Sequence, residues 1–304
     1  GGAAGTVGAT ALANRLLTAR ASDFEPYLPG DLGTYRWRGF DVAYAELGDP
    51  ADPDLVALHG VHAAASGHEF FAVVEALAED YHVLVPDLPG FGHSERPALF
   101  YSASLYATFV RDFLADLTED PPVVVASSLT ASFAAEAARD VDVAELVLIC
   151  PSEGAGGQRR RWLRALLRSP LVGQAIFNLV ASKPSIRHFH ADHGVADLAR
   201  YPDAVIDYEW TTAHHPGARF APASFISGYL DPEAALADVL ADVDAPVTLV
   251  WGRDADITPL EEGRALAEAA DARLVVIDDS KLLPHVEHPA AFRDVLDESV
   301  RAAV

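Results

Sequence analysis

The chain has 304 residues, half of them hydrophobic, with 45 acidic against 22 basic side chains and a formal net charge of −23. So acidic a balance excludes a nucleic-acid binder, which needs a basic footprint for phosphate, and a single cysteine, Cys150, excludes an intrachain disulfide. No uninterrupted apolar run reaches the roughly 18 residues of a membrane span.

The first 17 residues are rich in small apolar side chains. They read as the remnant of a signal or anchor segment, as a short docking helix, or as a remnant of cloning. Residues 34–47 alternate apolar and polar around Gly39, which predicts an antiparallel hairpin at a sheet edge. Short aliphatic runs at 54–58, 81–85, 123–125, 145–150, 247–251 and 273–277 predict buried strands. Between them, 70–77, 104–117, the stretch following 125 through Ala138 and a closing helix from Pro289 read as helical. Buried strands alternating with helices predict a doubly wound, mostly parallel sheet covered on both faces. The alternation breaks once, over about 95 residues from Pro151 to Ala245, which read as helices and loops. The expected organisation is an N-terminal segment 1–20, a core of 21–150 and 246–304, and a helical cap of 151–245 roofing the carboxyl ends of the strands.

Three motifs occur in order: LHGVHAAASGHEF from Leu58, PDLPGFGHSERP from Pro86 and VVVASSLTASFA from Val123. Together they resemble the α/β-hydrolase superfamily from about residue 34 onward, outside the cap. The resemblance implies a serine nucleophile on a tight strand-to-helix elbow. The residues two before and two after must be small, so the frame falls on Ser128, between Ala126 and Thr130. Thr130 is bulkier than the family's usual glycine. The resemblance also implies an oxyanion hole from the backbone N–H groups of Val61 and Leu129.

A serine needs a base and an orienting acid, and here the chain departs from the family. In WGRDADITP the acid position falls on Ala255, flanked by Asp254 and Asp256. Asp256 is the favoured substitute, with Asp254 or Glu153 as alternatives. In SKLLPHVEHP the histidine position falls on Leu282, and His285 is the nearest imidazole. His62 and His93 are further imidazoles near the expected pocket, His93 in a structural role.

Two readings follow. One is an esterase-like serine hydrolase of a small apolar acyl substrate, with Ser128, a displaced His285 and Asp256. The other is a degenerate hydrolase-fold protein that binds an apolar ligand or partner. No phosphate-binding glycine loop appears and no metal-ligand spacing stands out, so no cofactor and no metal are expected; His188, His190 and His193 read as polar surface. Cys150 reads as a small buried filler. Arg159, Arg160, Arg161, Arg164 and Arg168 make a basic helix backed by Trp162, Leu163, Leu166 and Leu167. That helix, or the N-terminus, is the expected place for contact with an anionic membrane surface; the alternative is a cap helix whose arginines pair with acidic neighbours. The chain is expected to be cytoplasmic or peripheral to a membrane; its sequence leaves the substrate and oligomeric state open.

The charge, the near absence of lysine (Lys183 and Lys281 alone) and the absence of methionine match a protein adapted to high salt. Self-repulsion at −23 destabilises the compact state until salt screens it. The thermal midpoint should therefore rise steeply between about 0.1 M and about 2 M KCl; a midpoint independent of salt would contradict a salt-adapted origin.

Overall fold

A computed structural model describes residues 2–21, 24–154 and 158–302. Eight strands form one sheet: β1 Asp31–Trp37, β2 Phe40–Leu47, β3 Asp54–Leu58, β4 His82–Pro86, β5 Val123–Ser127, β6 Glu145–Ile149, β7 Val247–Gly252 and β8 Arg273–Ile277. Their spatial order is β1-β2-β4-β3-β5-β6-β7-β8. β1 and β2 pair antiparallel, as do β2 and β4, and every later pair is parallel. The fold is thus the doubly wound, mostly parallel sheet that the alternation predicts, in the α/β-hydrolase arrangement that the motif resemblance implies. The hairpin turns at Arg38 and Gly39, both at positive φ, as the twist of a two-residue hairpin requires.

The helices are α1 Gly2–Arg20, α2 Val74–Leu77, α3 Ala103–Leu117, α4 Thr130–Ala137, α5 Arg161–Arg168, α6 Val172–Val180, α7 Lys183–Phe189, α8 Asp203–Ala213, α9 Phe220–Ile226, α10 Leu236–Leu240, α11 Leu260–Ala270, α12 Pro284–Glu287 and α13 Pro289–Ala302. β3, β5 and β6 are aliphatic and almost wholly buried because helices cover both their faces. One core layer joins Phe109, Phe113 and Phe133 to Val124, Leu146 and Leu249; the other joins Phe70, Val74, Val125, Val147 and Phe292.

The predicted helix over 70–77 is instead a 3₁₀ turn, Gly67–Phe70, followed by the short α2. Two hydrogen bonds pin that turn and stop a single helix from running through it. Gly67 N–H donates to Asp87 Oδ1 at 2.7 Å, and Glu69 Oε2 accepts from Gly60 N–H at 2.8 Å. Between β6 and β7 the described residues hold helices α5 to α10 and no strand. This insertion contributes Phe189, His190, Tyr201 and Phe225 to a cavity that also opens on Ser128 and Ser152, at the carboxyl ends of β5 and β6.

Candidate functional site

β5 ends against Gly60, whose Cα approaches so closely that a Cβ there would lie 3.3 Å from the Ser128 Cβ. Ser128 turns the chain into α4 with φ +53, a left-handed backbone that costs a non-glycine residue about 1 kcal/mol or more. The conformation is over-determined by its surroundings. Ser128 N–H donates to Ile149 O at 2.9 Å and Ser128 O accepts from Ser152 N–H at 3.2 Å. Thr130, which looked too bulky for the elbow, donates its hydroxyl to His59 O at 2.7 Å, tying α4 to the end of β3.

Ser128 lines a cavity of about 720 Å³. Its walls are largely apolar, from Val61, Phe189, Phe225, Leu236, Ile257, Leu266, Leu282 and Leu283. Such a chamber suits a drug-sized apolar molecule with a few polar anchors. Among the described residues, the Ser128 hydroxyl has one hydrogen-bond partner, Ser152 Oγ at 3.5 Å, and neither Val61 N–H nor Leu129 N–H has an acceptor.

Two buried carboxylates organise the polar part of this chamber. Glu209, on α8, is fully buried. His190 Nε2 lies 3.0 Å from both its oxygens, Tyr201 hydroxyl donates to Oε1 at 2.9 Å, and His68 Nε2 lies 3.3 Å from Oε1. His62 Nε2 stands further off, at 3.9 Å. Burial alone would raise the Glu209 carboxyl, but His190 and His68 outweigh it and hold the group well below the usual carboxylate range. A carboxylate only accepts, so the Nε2 atoms of His190 and His68 each turn a proton toward it. Two of the remaining ring nitrogens have partners, and His190 Nδ1 is buried without one among the described residues. His62 Nδ1 accepts from Ala64 N–H at 3.3 Å, His68 Nδ1 meets Ser66 Oγ at 2.6 Å, and His190 Nδ1 sits tight against Gly194, where a Cβ would come within 2.6 Å.

Glu69 is the second carboxylate. It takes Gly60 N–H, and its other oxygen lies 3.4 Å from His285 Nε2. Burial again works against the charge, yet His285, the Ser127 hydroxyl and Gly60 N–H together bring the group down to about 2. Glu69 thereby braces the loop that carries Val61 beneath the elbow.

A model of the alpha/beta hydrolase family matches residues 55–295. The chain belongs to the alpha/beta hydrolase family. An uncharacterized protein of Mycobacterium tuberculosis is 25% identical to it over 268 residues, spanning 81% of this chain and 74% of that one. A 2-hydroxy-6-oxononadienedioate/2-hydroxy-6-oxononatrienedioate hydrolase of Pseudomonas putida is 26% identical over 287 residues, 84% and 90% of the two chains. Among solved structures, a serine hydrolase involved in carbazole degradation superposes with a TM-score of 0.73 at 18% identity, covering 90% of this chain and all of its own. A membrane phospholipase A gives 0.72 at 20% identity over 97% and 91%. At these identities the likeness is one of fold.

Within this hydrolase fold the displaced pair His285 and Asp256 does not assemble. His285 is fully buried between Phe70 and Phe292, beside Glu69 and away from the cavity wall, because α12 turns its ring into the core. Asp256 is half exposed and bonds His193 Nδ1 at 2.8 Å. Asp254 is exposed, with its N–H on Ser280 O. Glu153 lines the cavity, but its carboxylate accepts Leu236 N–H at the start of α10. Leu282 and Ala255, at the positions the resemblance gives to base and acid, are both buried in one apolar cluster with Trp251, Leu283 and Val286. His93 stacks on Phe24 at 4.0 Å and its N–H is held by Asp87. The RHFHADH histidines go to three separate carboxylates: His188 to Asp192, His190 to Glu209 and His193 to Asp256. Among the described residues no group of three such side chains is placed to hold a metal. Cys150 is buried, which pushes its thiol up to about 12.

Sequence reasoning missed Glu209, Glu69, His68 and Tyr201. Glu209 had a signal: it sits in register with Val205, Ile206, Thr212 and Ala213 on the buried face of α8, where a lone charge needs partners.

His62 supplies a pH test. Burial lowers its pKa from 6.5 to about 4. The unfolded chain takes up that proton below pH 6.5, whereas the folded ring refuses it until about pH 4. Stability from this group is therefore complete above pH 6.5 and falls as the pH drops toward 4, by about 2–3 kcal/mol. His62→Asn should flatten the fall in urea midpoint across that window; equal slopes in both proteins would contradict it.

Proposed function

We propose that this chain uses its cavity to bind an apolar ligand with a carbonyl or similar polar head, and that ester hydrolysis at Ser128 is slow or absent. The observation that carries this reading is the fate of the imidazoles. Among the described residues no ring nitrogen hydrogen-bonds Ser128, and the cavity imidazoles of His68 and His190 give their Nε2 atoms to Glu209 instead. Without a base the hydroxyl keeps its proton near neutral pH. Leu282 and Ala255 support it: both positions that the resemblance gives to base and acid hold hydrocarbon, buried in one apolar cluster. The free N–H groups of Val61 and Leu129, the latter at the start of α4, would hold the ligand's carbonyl oxygen. Helices α5 to α10 would act as a cap over residues 21–150 and 246–304, enclosing the apolar tail.

One observation favours the serine-hydrolase reading. Ser128 keeps the strained elbow backbone, and strain of this kind gathers at working sites. On that reading Ser128 attacks an acyl carbon slowly, with the oxyanion pair providing most of the rate. A fluorophosphonate probe separates the two. Loss of a general base costs about 10³-fold or more, so the parent chain should bind a fluorescent fatty acid yet show negligible labelling in native, high-salt buffer. Rapid labelling that Ser128→Ala abolishes would overturn the ligand-binding reading.

A further inference from the structure

The basic residues of this acidic chain are not spread evenly. Residues 1–22 and 154–191 together hold nine of the 22 Lys and Arg residues and none of the 45 Asp and Glu. Everything else carries a net −32. The fold brings the described parts of these two segments together. α6 packs against both α5 and α1, and Asn14 of α1 donates to Leu171 O at 3.3 Å while Asn178 Nδ2 of α6 donates to Asn14 Oδ1 at 3.0 Å.

The same helices expose large apolar side chains. Trp162 is 68% exposed, Leu179 74%, Leu12 59%, Val172 55% and Leu16 54%, whereas Trp37 and Trp251 are nearly inaccessible. Apolar side chains gathered on adjoining helices, unlike singly exposed ones, mark a surface that binds something. The arginines divide by role. Arg164 stacks on Phe100 and Tyr229, each at 4.1 Å, Arg168 donates to the carbonyls of Ala98 and Leu99, and Arg159 meets Glu233 at 3.2 Å. Lys183 and Arg187 pair with Asp207 and Asp203. Arg15, Arg20, Arg160 and Arg161 are exposed with no carboxylate partner among the described residues.

We infer that α1, α5 and α6 form a docking face for an anionic lipid bilayer. Trp162, Leu179, Val172, Leu12 and Leu16 enter the headgroup boundary, and Arg15, Arg20, Arg160 and Arg161 meet lipid phosphates. Charge complementarity selects this occupant: an unpaired cationic, apolar face is what an anionic bilayer attracts, and the strongly negative remainder of the chain orients that face toward the surface. α5 touches α9 and α6 touches α7, and Phe225 of α9 and Phe189 of α7 line the cavity. The bilayer face is therefore one helix removed from the apolar chamber, a short path for a lipid-soluble ligand.

The test uses the whole chain, at the lowest KCl concentration that preserves its native circular dichroism, with vesicles of phosphatidylglycerol and phosphatidylcholine or of phosphatidylcholine alone. The parent should co-sediment with the anionic vesicles, with a blue shift in tryptophan emission that Trp162→Ala removes. Arg160→Glu with Arg161→Glu should lower the partition coefficient by about 100-fold or more, at about 1 kcal/mol for each charge near the surface, and Leu179→Asp should lower it further. All these positions are exposed, so native circular dichroism and unchanged binding of the fluorescent fatty acid in solution separate loss of docking from loss of the cavity. Absence of binding by the parent, equal binding by the charge-reversed variant, or self-association through this face in light scattering would overturn the inference.

Discussion

Burying the Glu209 carboxylate obliges the surrounding chain to bring protons to it. An unpaired charge at that depth would cost several kcal/mol, and among the described residues no lysine or arginine pairs with it. The protons come instead from His68 in the 3₁₀ turn after β3 and from His190 and Tyr201 in the insertion. One carboxylate thus ties the insertion to the loop after β3 and engages the His68 and His190 imidazoles, neither of which bonds Ser128. Removing Glu209 would leave several buried polar groups unsatisfied at once, which is why the chamber's shape and its chemistry are linked through this residue.

The parts of the fold that depend on local pattern were legible from the chain. Residues 54–58 and 273–277 coincide with β3 and β8, and Pro289 begins α13. The elbow was legible because only small flanking residues fit it, and Ser128 has the left-handed φ that the frame demands. The polar interior was not legible, because its members are distant in sequence and act through one another. His62, His68, His190 and Glu209 meet only when the insertion folds back over the sheet. His285 lies three residues beyond Leu282, the position that the resemblance gives to the histidine. The α12 turn places it on Glu69 instead, since a ring flanked by Pro284 and Val286 and packed on Phe70 has no route to the cavity. Thr130 was misjudged for the opposite reason: its hydroxyl finds a carbonyl acceptor that no one-dimensional pattern reveals.

The acidic surface and the basic face answer different constraints. Most of the chain carries carboxylates outward, where repulsion must be screened. The helices α1, α5 and α6 carry none in their own segments and keep arginines with no carboxylate partner among the described residues, on the same helices as exposed tryptophan and leucine. On the proposed docking, a charge distribution so divided would orient the molecule, with the cationic face one helix removed from the apolar chamber that Ser128 lines.

The central claim is that Ser128 occupies a binding chamber without an activated hydroxyl. Its most direct test compares a long-chain trifluoromethyl ketone with the corresponding methyl ketone by calorimetric titration. An activated serine would add its oxygen to the electrophilic carbonyl, pass its proton to a base and gain the affinity of a tetrahedral mimic, about 10²-fold or more. This account predicts dissociation constants for the two ketones that agree within about threefold, unchanged by Ser128→Ala. A preference of about 100-fold for the trifluoromethyl ketone, lost in Ser128→Ala, would contradict it.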